Sequence, residues 1–317
     1  MTYRQQCIVA LCMIAFFSAS ADSGERPVSE RPASCPTLTD AAGRVLSLYT
    51  PYKRIISLYC AHTENLLSMG AKSRLIGATV CRSLAHADDL PPFSAHDGIE
   101  KFLAAAPDLI LIRPMIDRAH ARLFDRLEHM GITIASLQPD GPDELVRYWR
   151  HLGQLAGCEA AAETAIQNFS NTTRQIAKNA PDPGSRKHVY FISRHRQMRT
   201  FSDTSMALYV LAAAGGIHVA TDAVPSRGSH IARYTKEKLL AKAGQIDVIL
   251  VQTGRMNTVT RDEILNEPGF SAIPAVQRGD IFFVDEAIVS RPTFRLTDGM
   301  RTVGAILYPD RFTGEQP

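Results

Sequence analysis

A chain of 317 residues is long enough for two domains with separate cores. Its 45% hydrophobic and 21% charged residues are those of an ordinary soluble globular protein. A net charge of +3, with no Lys/Arg-rich block, excludes nucleic acid as the expected partner. At the N-terminus one cation, Arg4, precedes an apolar stretch from Cys7 to Phe17 and then Ser18-Ala-Ser-Ala21. That is the pattern of a secretory leader with a small-residue cleavage site, so residues 1–21 are predicted to be removed on export. The stretch is too short to span a bilayer, and no other segment approaches the ~20 apolar residues needed. Arg31-Pro-Ala-Ser34 lacks the apolar character that a lipid anchor on Cys35 requires, so none is expected.

Residues 22–36, rich in Ser, Pro, Glu and Arg, are predicted to form a disordered tether. Leu38 to Thr50 has the form of a hairpin turning at Ala42-Gly43-Arg44. Strand, helix and strand then alternate: Ile55–Leu58, helix Thr63–Met69, strand Leu75–Val80, helix 99–105, strand Asp108–Ile112, helix Ala119–Met130, strand Thr133–Leu137. Such alternation predicts an α/β fold with a mainly parallel sheet, here an N-terminal lobe over 37–157. A helix over Asp143–Leu155 carries Trp149, the only tryptophan, and is expected to pack. A longer one, Glu159–Asn179, has Ala162, Ile166, Phe169, Thr173 and Ile176 at helical spacing. About 20 helical residues reach roughly 30 Å, enough to bridge two lobes, so 158–180 is the predicted bridge and 181–317 the second lobe.

The second lobe repeats the first. Glu100-Lys-Phe-Leu-Ala-Ala-Ala-Pro-Asp-Leu-Ile-Leu-Ile112 returns as Glu237-Lys-Leu-Leu-Ala-Lys-Ala-Gly-Gln-Ile-Asp-Val-Ile-Leu-Val251. Each copy is a short helix opened by an acid, a turn, then an Asp leading an apolar run fit for a strand buried on both faces. Arg54-Ile-Ile-Ser-Leu58 and His188-Val-Tyr-Phe-Ile192 open the two halves in parallel, and a final helix spans Thr297–Leu307. Two pseudo-symmetric lobes imply a ligand cleft between them.

Enzyme signatures are absent: no Gly-x-Ser-x-Gly, His-Glu-x-x-His, phosphate-binding glycine loop or Cys-x-x-Cys. Missing motifs do not exclude an enzyme, since triads are not readable from spacing alone. With a cleft between lobes, a non-catalytic binding role without a resident cofactor is the expectation. Ligands of parallel sheets sit beyond the carboxyl ends of the strands. Those positions hold Tyr59, His62, Arg113, Arg194, His195, Arg199, Arg255 and Glu286, with Arg291 and Arg295 following in an Arg-Pro loop. Six arginines at loop tips of both lobes suit an anionic ligand, since guanidinium matches carboxylate or phenolate oxygens. Tyr59, Phe191 and Phe201 are candidates to stack on a flat ligand. Cys60, His62 and Cys81 fall near adjacent strand ends. A Cys60–Cys81 disulfide is expected in an oxidising compartment, and direct metal ligation by these three is the alternative. Cys35 and Cys158 either pair or remain free.

As a set, Arg54-Ile-Ile-Ser-Leu58, Thr63-Glu64, Met69-Gly70-Ala71, Arg74-Leu-Ile-Gly77, Pro107-Asp-Leu-Ile-Leu111 and Ser290-Arg-Pro-x-x-Arg-Leu-x-Asp-Gly299 carry a resemblance. The chain resembles the periplasmic substrate-binding proteins of cobalamin and ferric-siderophore ABC importers, over about Thr37 to Tyr308. The resemblance implies two α/β lobes on a rigid helical bridge, a monomer with modest closure, and Glu100 and Glu237 docking onto arginines of the inner-membrane permease dimer. It implies a metal chelate as cargo, with an anionic ferric siderophore favoured by the arginines. A corrinoid or haem, or a role as exported metal chaperone, is the alternative. One departure concerns the family's Ser-Pro-x-x-Thr-Glu loop, which here reads Tyr59-Cys60-Ala61-His62-Thr63-Glu64.

Overall fold

The computed structural model describes residues 36–81, 84, 89–226, 228–255 and 257–312. The leader, most of the tether and Cys35 lie outside the described residues. Strands β1 (Thr37–Thr39) and β2 (Val45–Ser47) form the expected antiparallel hairpin. The Asp40 carboxylate accepts the amides of Ala42 and Arg44 at its turn. Arg44 in turn meets Asp117 at 2.7 Å and Glu128 at 2.9 Å, which straps the hairpin to the first lobe.

That lobe continues with β3 (Ile55–Ser57), α1 (Cys60–Ser68), β4 (Leu75–Ala78), α2 (Ile99–Ala105), β5 (Leu109–Ile112), α3 (Pro114–Ala119), α4 (Ala121–His129) and β6 (Thr133–Ser136). Its strands are parallel in the order β4-β3-β5-β6. Leu109 and Leu111 face one core while Ile110 and Ile112 face another, and all four are fully buried. This two-sided burial is why the run has no polar alternation, and each such side chain contributes about 1.5–3 kcal/mol. The single helix expected over Ala119–Met130 is two helices broken at His120, because Pro114 starts α3 a turn earlier than the pattern suggests.

Helix α5 (Leu145–Ala156) ends at Gly157 in the left-handed region, φ 67°, and α6 (Glu159–Asn179) is the long bridge. Its Ala162, Ile166, Phe169 and Ile176 are buried. The second lobe comprises β7 (His188–Ile192), β8 (Arg199–Phe201), α7 (Met206–Ala213), β9 (Ile217–His218), β10 (Val224–Pro225), β11 (Ile231–Arg233), α8 (Lys236–Ala241), β12 (Val248–Thr253), α9 (Arg261–Leu265), α10 (Pro274–Arg278), β13 (Ile281–Asp285), α11 (Glu286–Val289) and α12 (Leu296–Leu307). Its main sheet is parallel in the order β13-β12-β7-β9. A small antiparallel sheet, β10-β11-β8, stands apart from it. Strands of two or three residues are too short to show alternation, so the sequence pattern hides this insertion.

One core runs through both lobes. It joins Ile55 and Leu109 to Val189, Leu250 and Leu296 by way of Trp149 on α5 and Phe169 on α6. The outer face of each sheet has its own smaller core.

Candidate ligand-binding site

In both sheets the strand order reverses beside the first strand of the lobe, between β3 and β5 and between β7 and β12. The crevice beyond such a reversal is the natural ligand position. At the end of β3, Tyr59 is the extended residue that precedes α1. At the end of β5, Arg113 is held extended by the proline that opens α3. Their side chains meet: the guanidinium lies 4.7 Å from the Tyr59 ring centroid, a cation–π contact worth about 0.5–2 kcal/mol. Burial raises the Tyr59 phenol, opposed by the charges of Arg113 and Arg291.

His62 sits one step inward and is fully buried. Its Nε2–H donates to the Leu137 carbonyl at 2.9 Å, so Nδ1 carries the lone pair, and Nδ1 has no hydrogen-bond partner among the described residues. The ring lies 5.1 Å from Tyr59, edge to face, and 5.8 Å from Tyr148. Burial, with the Arg113 charge, lowers the imidazole to about 4. Cys60 and Cys81 are disulfide-bonded with Cα atoms 5.7 Å apart. The bond takes both sulfurs out of ligand duty, which overturns the alternative of a Cys–His metal site here. Cys158 is a free, half-buried thiol. Among the described residues no group of three or more His, Cys, Asp or Glu is arranged to hold a metal ion.

The second wall is built differently. Arg194 and Arg199 exchange backbone hydrogen bonds across a tight turn, and Asn257, beyond β12, accepts from the His195 amide at 3.1 Å. Arg194, Asn257 and Thr258 help line a cavity of about 120 Å³. His195 itself turns into the lobe, with Nε2 3.0 Å from Glu267, and packs on the Phe270 ring. Burial lowers it, opposed by Glu267. Arg199 reaches across the small sheet to Ser226, just past β10, and Arg255 is exposed at the tip after β12. Phe191 and Phe201 pack on each other in the core, 4.9 Å apart, which removes them as platforms for a flat ligand.

Glu286 opens α11 and pairs with Arg291 at 3.4 Å. A side chain at Gly254 would come within 2.3 Å of the Glu286 carboxylate, so glycine there lets Glu286 lie across the end of β12. The Arg291 loop belongs to the second lobe in sequence but is clasped by the first. The Pro292 carbonyl accepts from Asn65 at 3.0 Å and from the Trp149 indole at 3.2 Å, and Phe294 stacks on Trp149 at 4.3 Å. Glu64, beside Asn65, is 2% exposed, and burial raises its carboxyl against the pull of Thr293, Arg295 and Arg291. Arg295 lies 3.5 Å from Asp298.

The structure thus gathers Tyr59, His62 and Arg113 with Glu286 and Arg291 from the other lobe, all within electrostatic reach of Tyr59 or in contact with it. It sets Arg194 beside a separate small cavity and turns His195 away. Asn257, Asn65 and the Pro292 clasp escape a reading of the sequence because the side chains involved bond backbone atoms, which any sequence provides, so nothing in the sequence marks the partner. Glu100 and Glu237 are both exposed, each in the first turn of its helix, α2 and α8.

Residues 55–288 match the model of the periplasmic binding protein family, and the chain belongs to that family. It is 22% identical over 314 residues, 96% of each chain, to an uncharacterized ABC transporter substrate-binding lipoprotein of Bacillus subtilis. A possible iron-binding periplasmic solute-binding protein from Staphylococcus epidermidis superposes with a TM-score of 0.71 at 22% identity, covering 82% of this chain and all of that one. An ABC-type Fe3+-hydroxamate transport protein from Saccharomonospora viridis gives 0.67 at 18% identity, over 87% of this chain and 100% of the other. The two-lobed parallel α/β architecture is the fold these proteins share.

Proposed function

We propose that this chain is the periplasmic substrate-binding component of an ABC importer, exported by its leader, and that it captures an anionic metal chelate of the ferric-siderophore class. One observation carries the reading: Arg113 from one lobe and Arg291 from the other both act on Tyr59 at the carboxyl ends of the strands. Two fixed positive charges on opposite walls suit a ligand with anionic oxygens on more than one side. The substrate-binding relative in Bacillus subtilis and the Fe3+-hydroxamate transport protein support the transport role and the cargo class. The metal would arrive within the chelate as cargo. Glu100 and Glu237, exposed on equivalent helices, would engage arginines of the permease dimer.

The test is a thermal-shift panel of ferric catecholate, hydroxamate and citrate complexes, haem, cobalamin and bare divalent metals. Ligand at a thousand times its dissociation constant adds about 4 kcal/mol, a shift of several degrees. A shift with a ferric chelate, abolished in Arg113→Glu and Arg291→Glu, is expected. A shift confined to cobalamin or haem would replace the cargo, and one confined to bare metal would overturn the reading in favour of a metal carrier.

A further inference from the structure

Helix α1 builds the first-lobe wall, yet its start lacks the usual devices that fix a helix N-terminus. Tyr59 makes no side-chain cap bond, and no acid lies in the first turn. Side-chain caps open α7, α8, α9 and α11 in the second lobe, from Ser205, Thr235, Thr260 and Asp285. Helices α1 to α6 have none, and α1 alone among the described helices carries a disulfide at its first residue. Such caps satisfy the free amides of a helix start and fix where it begins. At the first helical position of α1 stands Cys60, bonded to Cys81.

Cys81 is a firm post. It is 2% exposed and follows β4, and the Thr79 amide continues the ladder by donating to the Ser57 carbonyl at 2.8 Å. The disulfide therefore ties the first residue of α1 to the segment just past the neighbouring strand β4. The residue before Cys60 is Tyr59, stacked on Arg113, and the residue two after it is His62. We propose that the Cys60–Cys81 disulfide is a positioning element of the binding site, replacing a helix cap and holding Tyr59 and His62 in place before ligand arrives. The inference rests on the cleft being the ligand site. Its physical content is preorganisation: an unfixed first turn would have to be ordered on binding, and affinity would fall by that cost.

Proline offers a separable test. It suits the first position of a helix, where its fixed φ is preset and no amide hydrogen is needed. It also demands an extended preceding residue, which Tyr59 already is at φ −138° and ψ 124°. Full-length wild type would be compared with the double variants Cys60→Ala/Cys81→Ala and Cys60→Pro/Cys81→Ala. The first readout is amide exchange at His62 and Thr63, whose N–H groups bond the Tyr59 carbonyl. The second is calorimetric affinity for ferric citrate.

The alanine pair should accelerate exchange at these two amides about tenfold more than at α8, whose change reports any general loss of stability. The proline variant should recover most of the protection. Affinity should follow the same order, falling about tenfold and then recovering. Unchanged exchange in the alanine pair would overturn the proposal, as would a proline variant as unprotected as the alanine pair. Acceleration spread equally over α1 and α8 would also overturn it, by making the bond a general stabiliser. Ferric citrate that fails to bind wild type would strike the cargo reading alone, because the exchange measurement needs no ligand.

Discussion

Asp108 and Asp247 hold the same post in the two lobes, whereas the strand ends beyond them differ. Asp108 accepts the amides of Lys53 and Arg54 at 2.7 and 2.9 Å, and Asp247 accepts that of His188 at 2.7 Å. Each locks the start of a central strand to its parallel neighbour. Past the opposite ends of those strands, the first lobe runs into an uncapped helix stapled by a disulfide. The second runs into a tight turn and the β10-β11-β8 sheet. The base of each sheet carries the scaffold and is repeated; the carboxyl ends, where ligand binding is proposed, are free to diverge. Even the histidines follow this division. Both leave Nδ1 without a partner among the described residues, but His62 Nε2–H is given to a backbone carbonyl behind the first wall, while His195 Nε2 is spent on an internal pair with Glu267.

That contrast breaks most readily at its centre. Trp149→Ala should cost about 3–5 kcal/mol in denaturant unfolding, because the indole is fully buried and joins both lobes through Pro292 and Phe294. Acid comes next. The folded His62 titrates at about 4 against 6.5 when unfolded, so the neutral ring favours the folded state fully above 6.5. That contribution is lost as pH falls from 6.5 towards 4, and it amounts to about 3 kcal/mol. His62→Gln should flatten this part of the stability–pH curve, and a variant with an unchanged acid limb would contradict the assignment. The matching His195→Gln change should do less, since Glu267 offsets the burial of His195.

Glu64, on the same helix as His62, has the opposite sign. Its folded carboxyl is raised, so stability present at low pH is lost as pH climbs through that range, and Glu64→Gln should be more stable than wild type at neutral pH. Opening the disulfide loop of 21 residues should cost about 3 kcal/mol by chain entropy, read as a lower thermal midpoint. Asp108→Ala should lose about 2 kcal/mol and Asp247→Ala about half that, in proportion to the amides each accepts. The smallest effect belongs to Glu100→Arg and Glu237→Arg, exposed positions where stability should move by less than about 0.5 kcal/mol. Uptake in cells should nevertheless fail with both if they dock the permease.

What the sequence discloses follows the same line. Apolar runs such as Leu109–Ile112 and the face of α6 are legible because burial dictates residue type at fixed spacing. The Cys60–Cys81 bond is legible as the favoured pairing, with metal ligation the alternative, because both cysteines fall near adjacent strand ends. The fates of Arg194, His195 and Arg199 are not, because all three follow one strand and a single left-handed residue, Met198 at φ 47°, decides where the turn sends them. The clasp on Pro292 is silent for another reason. A carbonyl oxygen accepts alike from any residue type, so only the indole and the amide that seek it leave a trace.

The core continuous from Ile55 through Trp149 and Phe169 to Leu250 sets how this molecule comes apart. Neither lobe owns the apolar surface it needs, so heating should melt both in a single calorimetric peak. A chain nicked near Gly184, between α6 and β7, should stay assembled as two fragments, each unable to keep its fold once the other is removed.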